Sequence, residues 1–398
     1  MLDLEKLQVL EKTIFRLNEN NIAEVVQDVI KQLDENYPDT FNYCVCSLIY
    51  SLIISTNFKL LNTCIDFLIQ LNQAEKDSNK QKRDIFEIFR NLTRAETQEY
   101  NYLLYELIKR HLIDESEAKT RMSLYFAQYR NDIEINILLK NNHQFRKEFR
   151  RKRYQVSKND WELHKQLIEE GKNPSEILEI IRNDDIERLK TIYKEEGEDL
   201  YEILDQIRPS LYERCSYINN EYTTLIDFCA FYGSVQCFKF CLEIDGLSAD
   251  VFKHAIAGGN SEIIRICEEE LPEIKERNYY VYKKSYKDGL QTATQFHRNN
   301  LFFNSKKKIA KLNLNQLGET CIKYDNYEVL AFLLKKGLEI SDNMILDSAK
   351  TGYLLMAFQQ QNVELPNNIL SYAVRFDNAE FCKYLMEKEK FDINVIIS

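Results

Sequence analysis

Short apolar stretches separated by two-residue polar turns recur from about residue 175 onward. The turns are Asp184-Asp185, Gly233-Ser234, Gly259-Asn260, His297-Arg298, Asp325-Asn326, Gly352-Tyr353 and Asp377-Asn378. Four residues before the first member of each stand Ile180, Cys229, Ala255, Ala293, Cys321, Ser348 and Ala373. All but Ile180 are small, as close helix crossings require. Four and five residues after it come apolar pairs such as Cys237-Phe238, Ile263-Ile264, Leu301-Phe302, Val329-Leu330 and Phe381-Cys382. The first unit is weaker, with Arg188-Leu189. This pattern predicts a helix, a tight turn and a second helix that returns its apolar face to the first, repeated along the chain.

The front half carries the helical period without the turn signature. Leu4, Leu7, Leu10, Ile14 and Leu17 fall on one helical face, as do Leu60, Ile65, Leu68, Ile69 and Leu71. Gln73 to Arg83 is polar and reads as an exposed connection. Thr40 to Phe58 has no charged residue before Lys59, but it contains Asn42, Ser47, Ser51, Ser55, Thr56 and Asn57. A membrane span needs about 20 predominantly apolar residues; a buried helix with a small-residue stripe is the better reading. The expected division is an N-terminal helical region, 1–170, followed by a repeat array, 171–398.

The clearest unit is Thr224-Leu225-Ile226-Asp227-Phe228-Cys229-Ala230-Phe231-Tyr232-Gly233-Ser234, continuing through Cys237-Phe238 to Cys241-Leu242. It resembles the ankyrin pattern T-P-L-H-x-A-A-x-x-G-H, with Leu225 at the proline and Asp227 at the histidine. Val329 to Gly337 looks like a second ankyrin helix with its terminal glycine, and Phe252 to Cys267 fits the same frame. Ala230 to Ser234, Cys237 to Phe240 and Ala257 to Arg265 are similar to an expanded ankyrin family of parasitic protists, described as a domain of unknown function. The resemblance covers roughly residues 175 to 398. It implies an all-α solenoid of stacked helix-turn-helix repeats behind the N-terminal helical region, acting as a non-enzymatic scaffold or adaptor for a protein partner. Spacings near 25–28 residues leave no room for full hairpin fingers. Extra residues fall around Glu268 to Lys287 and between Glu195 and Glu221.

Composition agrees with helices on short connections: 10 Gly and 5 Pro in 398 residues leave little for β-turns or phosphate loops. A formal net charge of −10 argues against broad nucleic-acid or anionic-membrane binding. The N-terminus lacks a basic stretch followed by an apolar run, so no secretory signal is expected. The 10 cysteines include no CxxC pair and read as small hydrophobes in a reducing compartment; no metal site is expected. No phosphate loop, dinucleotide fingerprint, zinc-protease motif or nucleophile elbow occurs, so neither an enzyme nor a cofactor is expected.

Two features remain as candidate sites. Residues at the end of each first helix would align from unit to unit. They put Tyr232, Phe296, Tyr324 and Phe376 in an aromatic ladder beside Lys323, Lys350 and Arg375 in a basic one. Aromatic and cationic anchors are what protein-binding surfaces enrich, while packing between layers would also use the rings. The run Arg146 to Arg153, ending in Arg150, Arg151, Lys152 and Arg153, reads as a nuclear-import or acidic-partner patch or as a solvated helix face. The expected setting is cytoplasmic, with a nuclear or chromatin-associated adaptor as the alternative. No small-molecule substrate is expected.

Overall fold

The computed structural model describes residues 4–33, 38–77, 84–92, 98–114, 158–205, 207–210, 212–220, 222–304, 313–349, 351–352, 354–355, 365–366, 368–375 and 378–388. Among them every regular element is helical and no strand occurs. Contacts divide the chain into two compact units: residues 1–94 with 290–398, and residues 95–289. The contact division thus differs in place from the 170/171 boundary drawn by repeat pattern.

In the 95–289 unit, α6 (Gln98–Lys109) and α7 (Lys158–Glu170) precede three helix pairs. These are α8 (Glu176–Arg182) with α9 (Ile186–Glu195), α11 (Leu225–Tyr232) with α12 (Val235–Asp245), and α13 (Val251–Gly258) with α14 (Ser261–Arg277). A short helix, α10 (Leu200–Asp205), lies between the first two pairs. First helices pack on first helices, α8 on α11 on α13, and second on second, α9 on α12 on α14. The small residues named above permit this: Cys229 and Ala255 are fully buried. At Gly258 the approach is closest, since a Cβ there would lie 2.4 Å from the Phe231 carbonyl oxygen. Local chemistry starts the helices: Asp227 closes a capping box with Thr224 at the head of α11, and Asp185 accepts from the Arg188 N–H at the head of α9.

The extra residues around 268–287 form no separate loop. They lengthen α14 and α15 (Tyr279–Gln295), which both run 17 residues. The 289/290 boundary falls inside α15. Its early turns pack on α13, with the Phe252 and Tyr286 rings 5.5 Å apart and Ser285 Oγ donating to the Ala249 carbonyl at 2.9 Å. The longer interruption is irregular after α10, yet it buries Tyr212, Cys215 and Ile218.

The other unit combines the two ends of the chain. From the front come α1 (Leu4–Phe15), α2 (Ile22–Gln32), α3 (Pro38–Ser55), α4 (Leu61–Asp77) and α5 (Ile85–Leu92). From the back come α16 (Asn299–Asn304), α17 (Leu314–Lys323), α18 (Tyr327–Lys335), α19 (Asp342–Ser348), α20 (Ile369–Arg375) and α21 (Ala379–Lys388). The first-helix order persists, α17 on α19 on α20. Helix α3 sits among α1, α4, α5 and α21, and α1 packs on α18. This burial accounts for the uncharged run at 40–58: Cys44, Leu48, Ile49 and Ile53 are inaccessible. No described helix is long and apolar enough to cross a membrane.

Candidate functional site

The inter-helix turns are the feature that recurs, and their backbone explains their composition. The first turn residue is left-handed at Asp184 (φ 53°), Gly233 (78°), Gly259 (77°), His297 (51°), Asp325 (57°) and Gly352 (73°). A left-handed residue ends an α-helix by turning the chain and satisfying its last carbonyls. Glycine does this without steric cost, while Asp and His pay a penalty for their Cβ.

At four of the turns the second residue reaches back to the preceding turn or to the helix end just before it. Ser234 Oγ donates to the Ile181 carbonyl. Asn260 Nδ2 donates to the Gly233 carbonyl at 3.2 Å, Asn326 Nδ2 to Thr294 at 2.9 Å and Asn378 Nδ2 to Thr351 at 3.0 Å. The same asparagines cap their own helices: Asn260 Oδ1 accepts from Ile263 N, Asn326 Oδ1 from Val329 N and Asn378 Oδ1 from Phe381 N. One amide thus starts a helix and holds the preceding layer.

Where the first turn residue is not glycine, its side chain is spent on a neighbour. Asp184 accepts from the Gln236 and Cys237 N–H groups, both at 2.9 Å, at the head of α12. Asp325, 2% exposed, accepts from Ser47 Oγ at 2.6 Å, Ser51 Oγ at 3.2 Å and its neighbour Tyr327 Oη at 3.0 Å. His297 places Nδ1 3.0 Å from Glu11 Oε1 and Nε2 2.7 Å from the Tyr324 carbonyl. Arg298 Nη2 donates to the Ser55 carbonyl at 3.4 Å. The serine stripe of α3 is therefore a docking strip for two turns some 250 residues away in sequence, between 243 and 278 positions. Sequence reasoning missed these partnerships. The available signal was a left-handed position filled by Asp or His instead of Gly.

Of the expected ladder, Tyr232, Phe296, Lys323 and Tyr324 lie among the described residues with their side chains. Phe296 is 1% exposed and belongs to the core, so it offers no surface; the layer-packing reading applies to it. Tyr232 is half-buried, with its hydroxyl 3.3 Å from Glu213 Oε2 and the Arg182 guanidinium 5.5 Å from its ring centre. Burial pushes the Tyr232 phenol well up, with the Glu213 charge adding to it. Burial also raises the Glu213 carboxyl, against the Asn173 and Cys215 N–H groups that favour its charged form. Lys323 is exposed and its Nζ lies 5.5 Å from the half-exposed Tyr324 ring. Arg375 ends α20, and its side chain is outside the described set. Lys350, Phe376 and the basic run with Arg150, Arg151, Lys152 and Arg153 also lie outside the described residues.

A cavity of about 340 Å³ lies beside the irregular 207–223 segment, lined in part by Asn173, Arg208, Asn219, Thr223 and Phe228. Its amides serve the protein itself: Asn219 exchanges two hydrogen bonds with the Ser210 backbone, and Asn173 binds the Arg208 carbonyl and Ser175 N–H. Among the described residues no cluster of His, Cys, Asp and Glu could hold a metal ion. Burial pushes the Cys237 and Cys267 thiols up to about 12, which favours the neutral thiol over the thiolate. No family model, curated protein or solved structure matches the chain.

Proposed function

We propose that the chain is a scaffold or adaptor built on a degenerate ankyrin-like array, binding a protein partner through the helix ends beside its turns. The observation that carries this reading is the repeated amide bond from Asn260, Asn326 and Asn378 to the turn or helix end before. Within each unit such bonds hold neighbouring helix ends in a preformed arrangement, and a preformed surface loses little conformational entropy on binding. Lys323, exposed, and Tyr324, half-exposed, supply the cationic and aromatic pair that such surfaces use as an anchor. The basic character of that pair suits an acidic stretch of the partner.

The test compares the full chain with its Lys323→Ala/Tyr324→Ala double variant in affinity capture with quantitative mass spectrometry. The reading expects proteins held by the wild type to fall at least about tenfold with the variant, a loss typical of truncating a central anchor. Equal recovery of every captured protein from a variant with an unchanged melting profile would contradict it.

A further inference from the structure

The extra residues around 268–287 bring side chains that the turns do not use. Asn278 starts α15, its Oδ1 accepting from the Tyr280 N–H at 3.1 Å and the Val281 N–H at 3.2 Å. A helix period of about 3.6 residues then puts Tyr279, Tyr282 and Tyr286 on adjoining rows of one face. Their rings run from solvent to core. Tyr279 stacks on Tyr282 with ring centres 6.4 Å apart, Tyr282 meets Tyr286 at 4.9 Å, and Tyr286 meets Phe252 of α13 at 5.5 Å. The inner end is buried and the outer end is open, with Tyr279 56% exposed and Tyr280 76%. Among the described residues no other large apolar side chains are exposed at consecutive positions.

Lysines border the rings. Lys283 and Lys287, one turn apart on the next rows of the helix, are both exposed. Lys284 is taken up within the unit, by Asp250 at 2.6 Å and Asp288 at 3.2 Å. Among the described residues neither Lys283 nor Lys287 has an acidic partner. Two cations thus stand beside an open aromatic edge, the combination that protein-binding surfaces enrich. The same chemistry selects the occupant. A nucleic-acid strand needs a run of cations along its backbone, and here two stand on a chain of net charge −10. An anionic bilayer needs a broad apolar face or a polybasic cluster, and this face has neither. A short acidic peptide needs only what is present: cations one turn apart for its carboxylates, and flat rings for an apolar side chain between them.

We propose that the early turns of α15, through Tyr279, Tyr280, Lys283 and Lys287, form a docking surface for an acidic peptide segment of a partner protein. Carboxylates of the segment pair with the two ammonium groups, and one of its apolar side chains covers the outer tyrosines. Neither Lys323 nor Tyr324 takes part, so this surface stands whether or not that pair is an anchor.

The experiment selects binders to the full chain from a random peptide library displayed on phage. The most enriched peptide is then synthesised with a fluorophore and titrated by anisotropy. The selected peptides should be rich in Asp and Glu. Lys283→Glu/Lys287→Glu should weaken the peptide at least about tenfold, and Tyr280→Ala about threefold or more. Lys323→Ala/Tyr324→Ala should leave its affinity unchanged. Should the charge reversal fail to fold, Lys283→Gln/Lys287→Gln is read in the same way. Selected peptides without acidic residues, or acidic ones that bind the lysine variants as tightly as the wild type, would overturn the proposal. A loss confined to Lys323→Ala/Tyr324→Ala would overturn it too, and would place the peptide on that pair. Oligothymidine or phosphatidylserine vesicles that bind in place of peptides, and lose binding with the same lysine variants, would assign the face to nucleic acid or membrane instead.

Discussion

The turns at Gly233 and Gly259 in the 95–289 unit differ instructively from those at His297 and Asp325 in the other. All four are left-handed. At the glycine turns the left-handed residue makes no tether itself; the second turn residue, Ser234 or Asn260, reaches the preceding layer, beside the close approach of Gly258 to the Phe231 carbonyl. The His and Asp turns accept a left-handed penalty of about 1–2 kcal/mol. A buried hydrogen bond to a charged group contributes about 1.5–3 kcal/mol, and Asp325 accepts three bonds. The tethers outweigh the strain. A repeat turn can thus become an attachment point for another part of the chain by replacing glycine with a short acceptor or an imidazole. Asp184 shows the same device serving α12 within its own unit.

The comparison can be broken first at the glycine side. Gly258→Ala puts a Cβ 2.4 Å from a backbone oxygen, so α11 and α13 must separate. A loss of about 3 kcal/mol is expected in denaturant unfolding. A change below about 1 kcal/mol would mean that the two backbones are not in close contact.

Asp325→Ala tests the other side, because it keeps the strain and removes the acceptor for three buried hydroxyls. It should cost about 3 kcal/mol. Asp325→Gly relieves the turn and should recover about 1 kcal/mol of that loss. Equal stability of the two variants would show that the left-handed turn carries no penalty.

A smaller effect concerns acid. Burial raises the Asp227 carboxyl, but His254, the Thr224 hydroxyl and the Ser248 hydroxyl hold it below its usual value overall. A depressed carboxyl adds stability that is full above the unfolded value near 3.9 and is lost as pH falls through the folded one. Asp227→Asn should lose about 1–2 kcal/mol at pH 7 and show a shallower loss below about pH 4 in thermal melts. An unchanged acid limb would contradict this account of the α11 cap.

The smallest stability change is expected at Lys323→Ala. Its exposed ammonium sits near Tyr324, so melting should shift by no more than about 0.5 kcal/mol. A loss above about 2 kcal/mol would make it a packing residue.

The periodic signal in the sequence was local, and what was local could be read. The positions of the turns and the small residues four places earlier follow from helix period and left-handed caps. Cys229, Ala255, Ala293, Cys321, Ser348 and Ala373 are all buried. The lengthening of α14 and α15 looked like an insertion because spacing was measured between turns, which does not distinguish a loop from added helical residues. Phe296 looked like a surface rung because period places a ring on a face without saying what covers it. The docking of α1 and α3 was not legible. Glu11 meets His297 across 286 positions and Ser47 meets Asp325 across 278, and neither pairing leaves a periodic trace. The serine stripe and the non-glycine turns were each visible alone, but only the fold joins them.

Hydrogen exchange on Asp325→Gly compared with Asp184→Gly tests the tethering account most directly. Both substitutions keep a left-handed turn and remove only the carboxylate. The account predicts that Asp325→Gly lowers amide protection across α3, residues 38–55, while Asp184→Gly lowers it at the head of α12 and leaves α3 unchanged. Unaltered protection of α3 in Asp325→Gly would show that the turn does not hold that helix.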